Sequence, residues 1–264
     1  MEQGLAPKTC NLRLTAIRAF LEYAAQEYLW IMPVYTDACT IVGVKTTNHA
    51  IEYFEPNEMT ALLAAPSGNN KTDRRNQMML IFLYDTAARV AEARQVKVSD
   101  LHLDAEVPYV TLLGKGRKYR NIPLMDKTIL HLKRFLKDFH GSELKTDMPL
   151  FYSKIHGQVH ELSSDTFEKM IKRYAAQCRA GGYPMPDNVH CHMIRKTRAM
   201  DLYREGVPLT HIQQLLGHEN ISTTSGFYAF ATLDVLAKAM ETVNPDNGIK
   251  SWSNPDTLER LYRL

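Results

Sequence analysis

Between Lys8 and Glu27 the apolar residues Leu14, Ile17, Leu21 and Ala24 recur at the spacing of one helical face, with Arg13, Arg18 and Glu22 on the others. This pattern predicts an amphipathic helix. Residues 42–53 carry no such period and read as an irregular linker. Glu55-Pro56-Asn57-Glu58 then has the proline and acidic residues of a helix start. A second helix is expected from Asp73 to Thr86, with Met79, Phe82 and Leu83 on its core face, delivering the chain to Arg89. From Asp104 to Leu124 the period changes to that of short strands. Tyr109–Leu113 and Tyr119–Leu124 flank Gly114-Lys115-Gly116, which puts Lys115 at a hairpin turn. Helical patterns follow over Lys127–Phe139, over Asp165–Arg179 with an Asp165/Glu168 capping box, and over His192–Arg204, which Gly206 ends. Pro208–Leu216 places Leu209, Ile212, Leu215 and Leu216 on one side and stops at Gly217, a left-handed cap. Ser222 suits the N-cap of a helix that presents Tyr228, and Asp256–Leu264 forms a last helical pattern too short to stand alone in water. The sum is a mainly α chain with a small β-sheet, an α+β fold.

The length of 264 residues fits one large or two modest domains, and 45% hydrophobic with 23% charged residues is an ordinary globular composition. No apolar run is long enough to span a bilayer, and the start MEQGLAPKTC lacks the layout of a secretion signal, so a cytoplasmic protein is expected. Cys10, Cys39, Cys178 and Cys191 are scattered and form no C-x-x-C pair, which points to reduced thiols. A formal charge of +3 permits nucleic-acid binding through a local basic face without by itself suggesting it.

Five local words carry more information: TAARVAE around Arg89, LLGKGRK around Lys115, HMIRK with His192 and Arg195, LLGHENISTT around His218, and GFYAFAT around Tyr228. In this order, and over roughly residues 54–240, they resemble the tyrosine recombinase (phage integrase) family, which includes the integrases and transposases of mobile elements. Arg89 with Glu92 matches the first arginine box, His192 and Arg195 match the H-x-x-R box, and Leu216-Gly217-His218 matches the third landmark. One position departs from the family. Its nucleophile usually lies nine residues after the LGH histidine, where this chain has Phe227; Tyr228 is one residue late, as a one-residue insertion near Ser225-Gly226 would make it. A chain whose nucleophile is lost is the alternative.

The resemblance implies a division into a partial helical core-binding segment with linker (1–48), a catalytic domain (54–243), and a C-terminal tail with a short docking helix (244–264). Family members usually carry about twice as many residues before the linker, so the N-terminal segment reads as shortened. The implied reaction is transesterification on DNA without metal, cofactor or ATP. Two guanidiniums, Arg89 and Arg195, match the paired geometry of a phosphate's non-bridging oxygens. A phenol with a pKa near 10 is a weak nucleophile at neutral pH, so Tyr228 requires a base, and His192 is the candidate. His218 would hydrogen-bond the phosphate or the nucleophile, and Lys115 would protonate the departing 5′ oxygen, with Lys118 as its competitor. Glu92, one turn from Arg89, would orient an arginine or histidine, or serve only as an ion pair. The run His190-Cys191-His192 contains metal-ligand types, but neighbouring residues on a helix point apart and no second ligand pair follows, so no metal site is expected.

The expected partners are double-stranded DNA target sites and further copies of the chain in a four-subunit synapse, with the last helix docking either in trans or in cis. No membrane partner is expected. Two other readings stay open: a type IB topoisomerase-like enzyme that relaxes DNA as a monomer, and a DNA-binding member of the family without catalysis.

Overall fold

The computed structural model describes residues 4–46, 52–66, 70–141 and 145–217. The chain divides after residue 50 into two compact units. In the first, helix α1 (Pro7–Glu27) starts on a proline and packs on α2 (Met32–Thr40) across a 3-10 turn at Leu29–Ile31. Two helices cannot bury a wide stripe. Ala25 is buried and Leu14, Leu21 and Ala24 half-buried, whereas Ile17, expected on the same face, is 53% exposed. Arg18, expected on a solvent face, instead folds over the end of α2. Its Nε donates to the Ala38 carbonyl at 2.9 Å and its Nη2 to those of Cys39 and Ile41, satisfying carbonyls that the helix itself leaves unpaired.

The second unit holds the larger core. Helix α3 (Pro56–Ala64) begins at Glu55, whose backbone N–H donates to the Glu58 carboxylate at 2.8 Å, the start its sequence predicts. Helix α4 (Lys71–Thr86) buries Met79, Phe82 and Leu83, as its period requires. A short helix α5 (Val90–Gln95) follows Arg89 directly. Strands β1 (Leu101–His102), β2 (Tyr109–Leu113) and β3 (Tyr119–Pro123) form an antiparallel sheet in that order, with Val110 opposite Ile122 and Leu112 opposite Arg120. Helix α6 (Asp126–His140) packs on α4, and Phe82 meets Phe151 edge-on at 5.5 Å. Burying each such ring stabilises the unit by about 2 kcal/mol.

A hairpin that the sequence pattern does not predict comes next. Strands β4 (Tyr152–Ile155) and β5 (Gln158–Glu161) turn at His156 and Gly157, which both take positive φ (49° and 80°), as a two-residue hairpin turn demands. Helix α7 (Ser164–Ala180) corrects the expected capping box. Ser163 is the N-cap and accepts from the Thr166 N–H at 3.2 Å, so Asp165 and Glu168 already lie inside the helix. Glu168 instead accepts from the Cys191 N–H at 3.1 Å, at the start of α8 (Cys191–Arg204). Thr197 of α8 accepts from the Phe54 N–H at 2.8 Å and donates to the Met193 carbonyl, fixing α8 to the start of the unit. Helix α9 (Leu209–Leu216) ends at Gly217 in the left-handed region (φ 61°), with Ile212 and Leu216 buried and Leu209 at the rim, 39% exposed. Among the described residues no helix is long and apolar enough to cross a membrane.

Candidate active site

The site is assembled where α4 ends. Thr86 and Ala87 are fully buried, and Ala87 turns the chain with φ 49° and ψ 28°, a conformation that costs an L-residue about 1 kcal/mol. Three contacts hold it. Its methyl packs among Ala199, Met200, Ile212 and Leu216, its carbonyl accepts from Arg195 Nη1 at 2.7 Å, and the next N–H, of Ala88, donates to Thr86 Oγ1 at 3.2 Å. The turn aims Arg89 across the N-terminus of α5.

Glu92 is the hub of the polar cluster beside this turn. Its Oε1 accepts from Arg89 Nη1 at 2.8 Å and from Arg120 Nη1 at 2.9 Å. Its Oε2 accepts from the Arg89 backbone N–H at 2.8 Å and from Arg120 Nη2 at 2.7 Å, with Arg195 Nη1 3.9 Å away. Burial works against the charge of this carboxylate, yet the hydrogen bonds from Arg120 and Arg89, together with the Arg120 charge, prevail and hold its pKa down at about 2.

The same three arginines reach the end of α9. Arg120 Nε donates to the Leu215 carbonyl at 3.0 Å, Arg195 Nη2 to that of Leu216, and Arg89 Nη2 to that of Gly217 at 3.5 Å. A helix C-terminus carries partial negative charge and unpaired carbonyls, so it suits a set of guanidiniums. Arg89 keeps 35% of its side chain exposed and Arg195 only 3%, which makes Arg89 the solvent-facing member.

His192 sits one turn before Arg195 on α8 and is exposed, while Cys191 and Met193 on either side are buried. Partial desolvation, then the charges of Arg195, Lys196, His190 and Arg89, lower its pKa to about 4. It is therefore neutral at pH 7, and the same surroundings make it a weaker base than a free imidazole. The neighbouring Cys191 thiol is driven the other way by burial and by Glu168, which leaves it a protonated core residue.

Of the residues singled out from sequence, the structure brings together Arg89, Glu92 and Arg195, and places His192 within their field. Lys115 stands exposed at the tip of the β2–β3 hairpin, where Gly116 (φ 73°) and Arg117 (φ 59°) make the turn, and the cluster's described contacts do not include its ammonium. The root of that hairpin does touch the cluster, since a Cβ on Gly114 would lie 3.2 Å from Arg120 Nη1 and 3.6 Å from Glu92 Oε1. His218, Tyr228 and Phe227, and the C-terminal helical pattern, lie outside the described residues.

Arg120 is the member that sequence reading missed. A signal existed: Arg120, Ile122 and Leu124 alternate along one strand face, and the last two are buried. A cation on the apolar face of a strand has to find partners inside.

Residues 52–232 match the profile of the Phage integrase family. A tyrosine recombinase XerD of Halalkalibacterium halodurans is 31% identical over 84% of this chain and 71% of its own length. A Tn1549 transposon integrase in complex with circular intermediate DNA has a similar fold, with a TM-score of 0.67 at 21% identity over 91% of this chain and 80% of that one. A lambda integrase tetramer bound to a Holliday junction aligns with a TM-score of 0.57 at 18% identity over 85% of this chain and 65% of that one.

Proposed function

The chain belongs to the phage integrase family, the tyrosine recombinases, and is a DNA strand transferase; from that premise we propose that it recombines DNA at specific sites through a 3′-phosphotyrosyl intermediate on Tyr228, in the service of a mobile element. The observation that carries this reading is the convergence of Arg89 and Arg195, far apart in sequence, on Glu92 and on the α9 end that leads into His218.

Arg89, the exposed guanidinium, donates to the non-bridging oxygens of the scissile phosphate, where negative charge grows in the transition state. Arg195 supports the same phosphate from beneath, its own position set by the Ala87 and Leu216 carbonyls. Neutral His192 takes the phenol proton as Tyr228 attacks phosphorus, and His218 hydrogen-bonds the phosphate. Lys115 delivers a proton to the departing 5′ oxygen from its exposed hairpin tip. The phosphotyrosyl ester keeps the bond energy, so a 5′-hydroxyl of another strand can reverse the step without ATP or metal.

The partner is duplex DNA, gripped by the N-terminal segment (1–48) and the catalytic domain (54–243). Four copies act together, with the C-terminal tail (244–264) docking on a neighbouring copy. The transposon integrase and the integrase tetramer on a Holliday junction support the mobile-element and oligomeric parts of this reading.

Covalent trapping tests it. Pooled nicked duplexes that lose the short strand after cleavage are incubated with the protein in EDTA, and any DNA-linked peptide is sequenced by mass spectrometry. An adduct on Tyr228 is expected. An adduct on another tyrosine overturns the nucleophile assignment. DNA binding that leaves no adduct, and that is unchanged in Tyr228→Phe, favours the binding-only reading to which Phe227 at the usual family spacing points. Relaxation of supercoiled DNA without strand exchange favours a topoisomerase.

A further inference from the structure

We propose that Arg120 is a positioning residue for this reaction: from β3 it locks Arg89, through Glu92, and the end of α9 that leads into His218, into one geometry, and seats the root of the Lys115 hairpin against both. The inference rests on the reading above for its catalytic consequence, though not for its geometry.

All three nitrogens of the Arg120 guanidinium donate a hydrogen bond. Nη1 and Nη2 fork onto the two oxygens of Glu92, and Nε donates to the Leu215 carbonyl. The side chain is 13% exposed, too enclosed for a free surface charge. Two glycines leave room for it. A Cβ on Gly217 would lie 3.1 Å from Nη1 and 3.2 Å from Cδ, and one on Gly114 3.2 Å from Nη1. The guanidinium thus lies against the backbone of the hairpin root and of the α9 cap, while its charge orients the carboxylate that also holds Arg89. Lysine cannot reproduce this. Its ammonium is a point charge and cannot span two carboxylate oxygens and a carbonyl in one plane.

The test uses Arg120→Lys on the full chain with two readouts. Hydrogen exchange on the free protein is expected to speed by about tenfold in residues 112–120, 90–95 and 209–217 together, while α4 and α6 stay as they were. Single-turnover cleavage of the nicked duplex is expected to fall by about a hundredfold, with DNA affinity within about twofold of the unsubstituted chain. A 5′-bridging phosphorothiolate, whose sulfur leaves without a proton donor, is expected to rescue Lys115→Ala and to restore Arg120→Lys only in part, because the Arg89 and α9 placement stays disturbed. Unchanged exchange in those three stretches overturns the proposal, whether or not the protein cleaves DNA. So does a cleavage loss matched by an equal loss of affinity, which would make Arg120 a plain DNA contact. Failure of the unsubstituted chain to form an adduct counts against the function reading alone. If Arg120→Lys does not fold, Gly114→Ala takes its place. Its backbone (φ −88°, ψ −174°) is open to alanine, and the added methyl would lie 3.2 Å from Arg120 Nη1 and 3.3 Å from the Lys118 carbonyl oxygen, so it presses on Arg120 and on the hairpin root together, and the same pattern is expected in milder form.

Discussion

Glu92 is 4% exposed and still ionised, because four hydrogen bonds from charged or backbone donors outweigh a desolvation penalty of several kcal/mol. Its pKa is about 2 in the fold against a usual value of 4.5, so its contribution is fully present above pH 4.5 and is lost as pH falls toward 2. That difference corresponds to stability on the order of 3 kcal/mol. Glu92→Gln should remove about that much in urea unfolding at pH 7, and the gap to the unsubstituted protein should narrow as pH falls below 4.5 and nearly close at pH 2, where about half of the folded protein has Glu92 protonated; a full gap that persists there would place the loss elsewhere. His192 acts in the same direction by a different route. With its pKa lowered from 6.5 to about 4, the folded protein binds fewer protons than the unfolded chain in that window, so stability falls as pH drops through it. An NMR titration of the free protein should find the His192 midpoint well below 6.5; a midpoint at or above that value would show that partial burial and the surrounding cations do not hold it down as this packing implies. The identities of Arg89, Arg195 and His192 were legible in short sequence words. Arg120 was marked only by its place in the alternation with Ile122 and Leu124, and its partners were not legible because Glu92 and Leu215 lie far along the chain.

Caps and turns decide where elements begin and end, and here the local signals were of unequal strength. Ser163 holds α7 through the Thr166 N–H, so Ser163→Ala should cost about 1 kcal/mol in thermal or chemical unfolding, whereas Asp165→Asn should cost far less; the reverse order would restore the expected box. Gly217 combines φ 61° with the Arg120 side chain at 3.1 Å, so Gly217→Ala should destabilise the protein by about 2 kcal/mol and slow cleavage at unchanged DNA affinity. A fully tolerated alanine would show that the α9 cap is looser than this contact implies. Helices α4, α6 and α9 were legible because each carries buried apolar residues at helical spacing, whereas α8, buried on nearly all sides, was marked by its H-x-x-R word and by Gly206 after it. Strands β4 and β5 were not. All of β5 is exposed, so it has no apolar alternation to reveal it, and only the His156-Gly157 turn hints at a hairpin. Strand β1, two residues long, exists only through its partner β2.

For the molecule as a whole, a net charge of only +3 means that DNA attraction has to come from local cations rather than from overall charge. Lys115, Arg117 and Lys118 stand exposed on one hairpin, so neutralising one that meets a phosphate should reduce the slope of log affinity against log salt by about 1. An unchanged slope for all three would take the hairpin off the DNA. By itself the sequence determined the fold class, most helices and the order of the boxes, because helical period, caps and clustered motif words are written within a few residues of one another. It also marked Arg89, Lys115, His192 and Arg195 as candidates. Which of them share one carboxylate was decided only by the tertiary structure. Arg89 reaches Glu92 from the next turn, but Arg120 arrives from a strand across the sheet, Arg195 from α8, and the accepting carbonyls from the end of α9. Those meetings depend on how α4, the sheet and the last two helices pack, and long-range packing leaves no period in the chain to read.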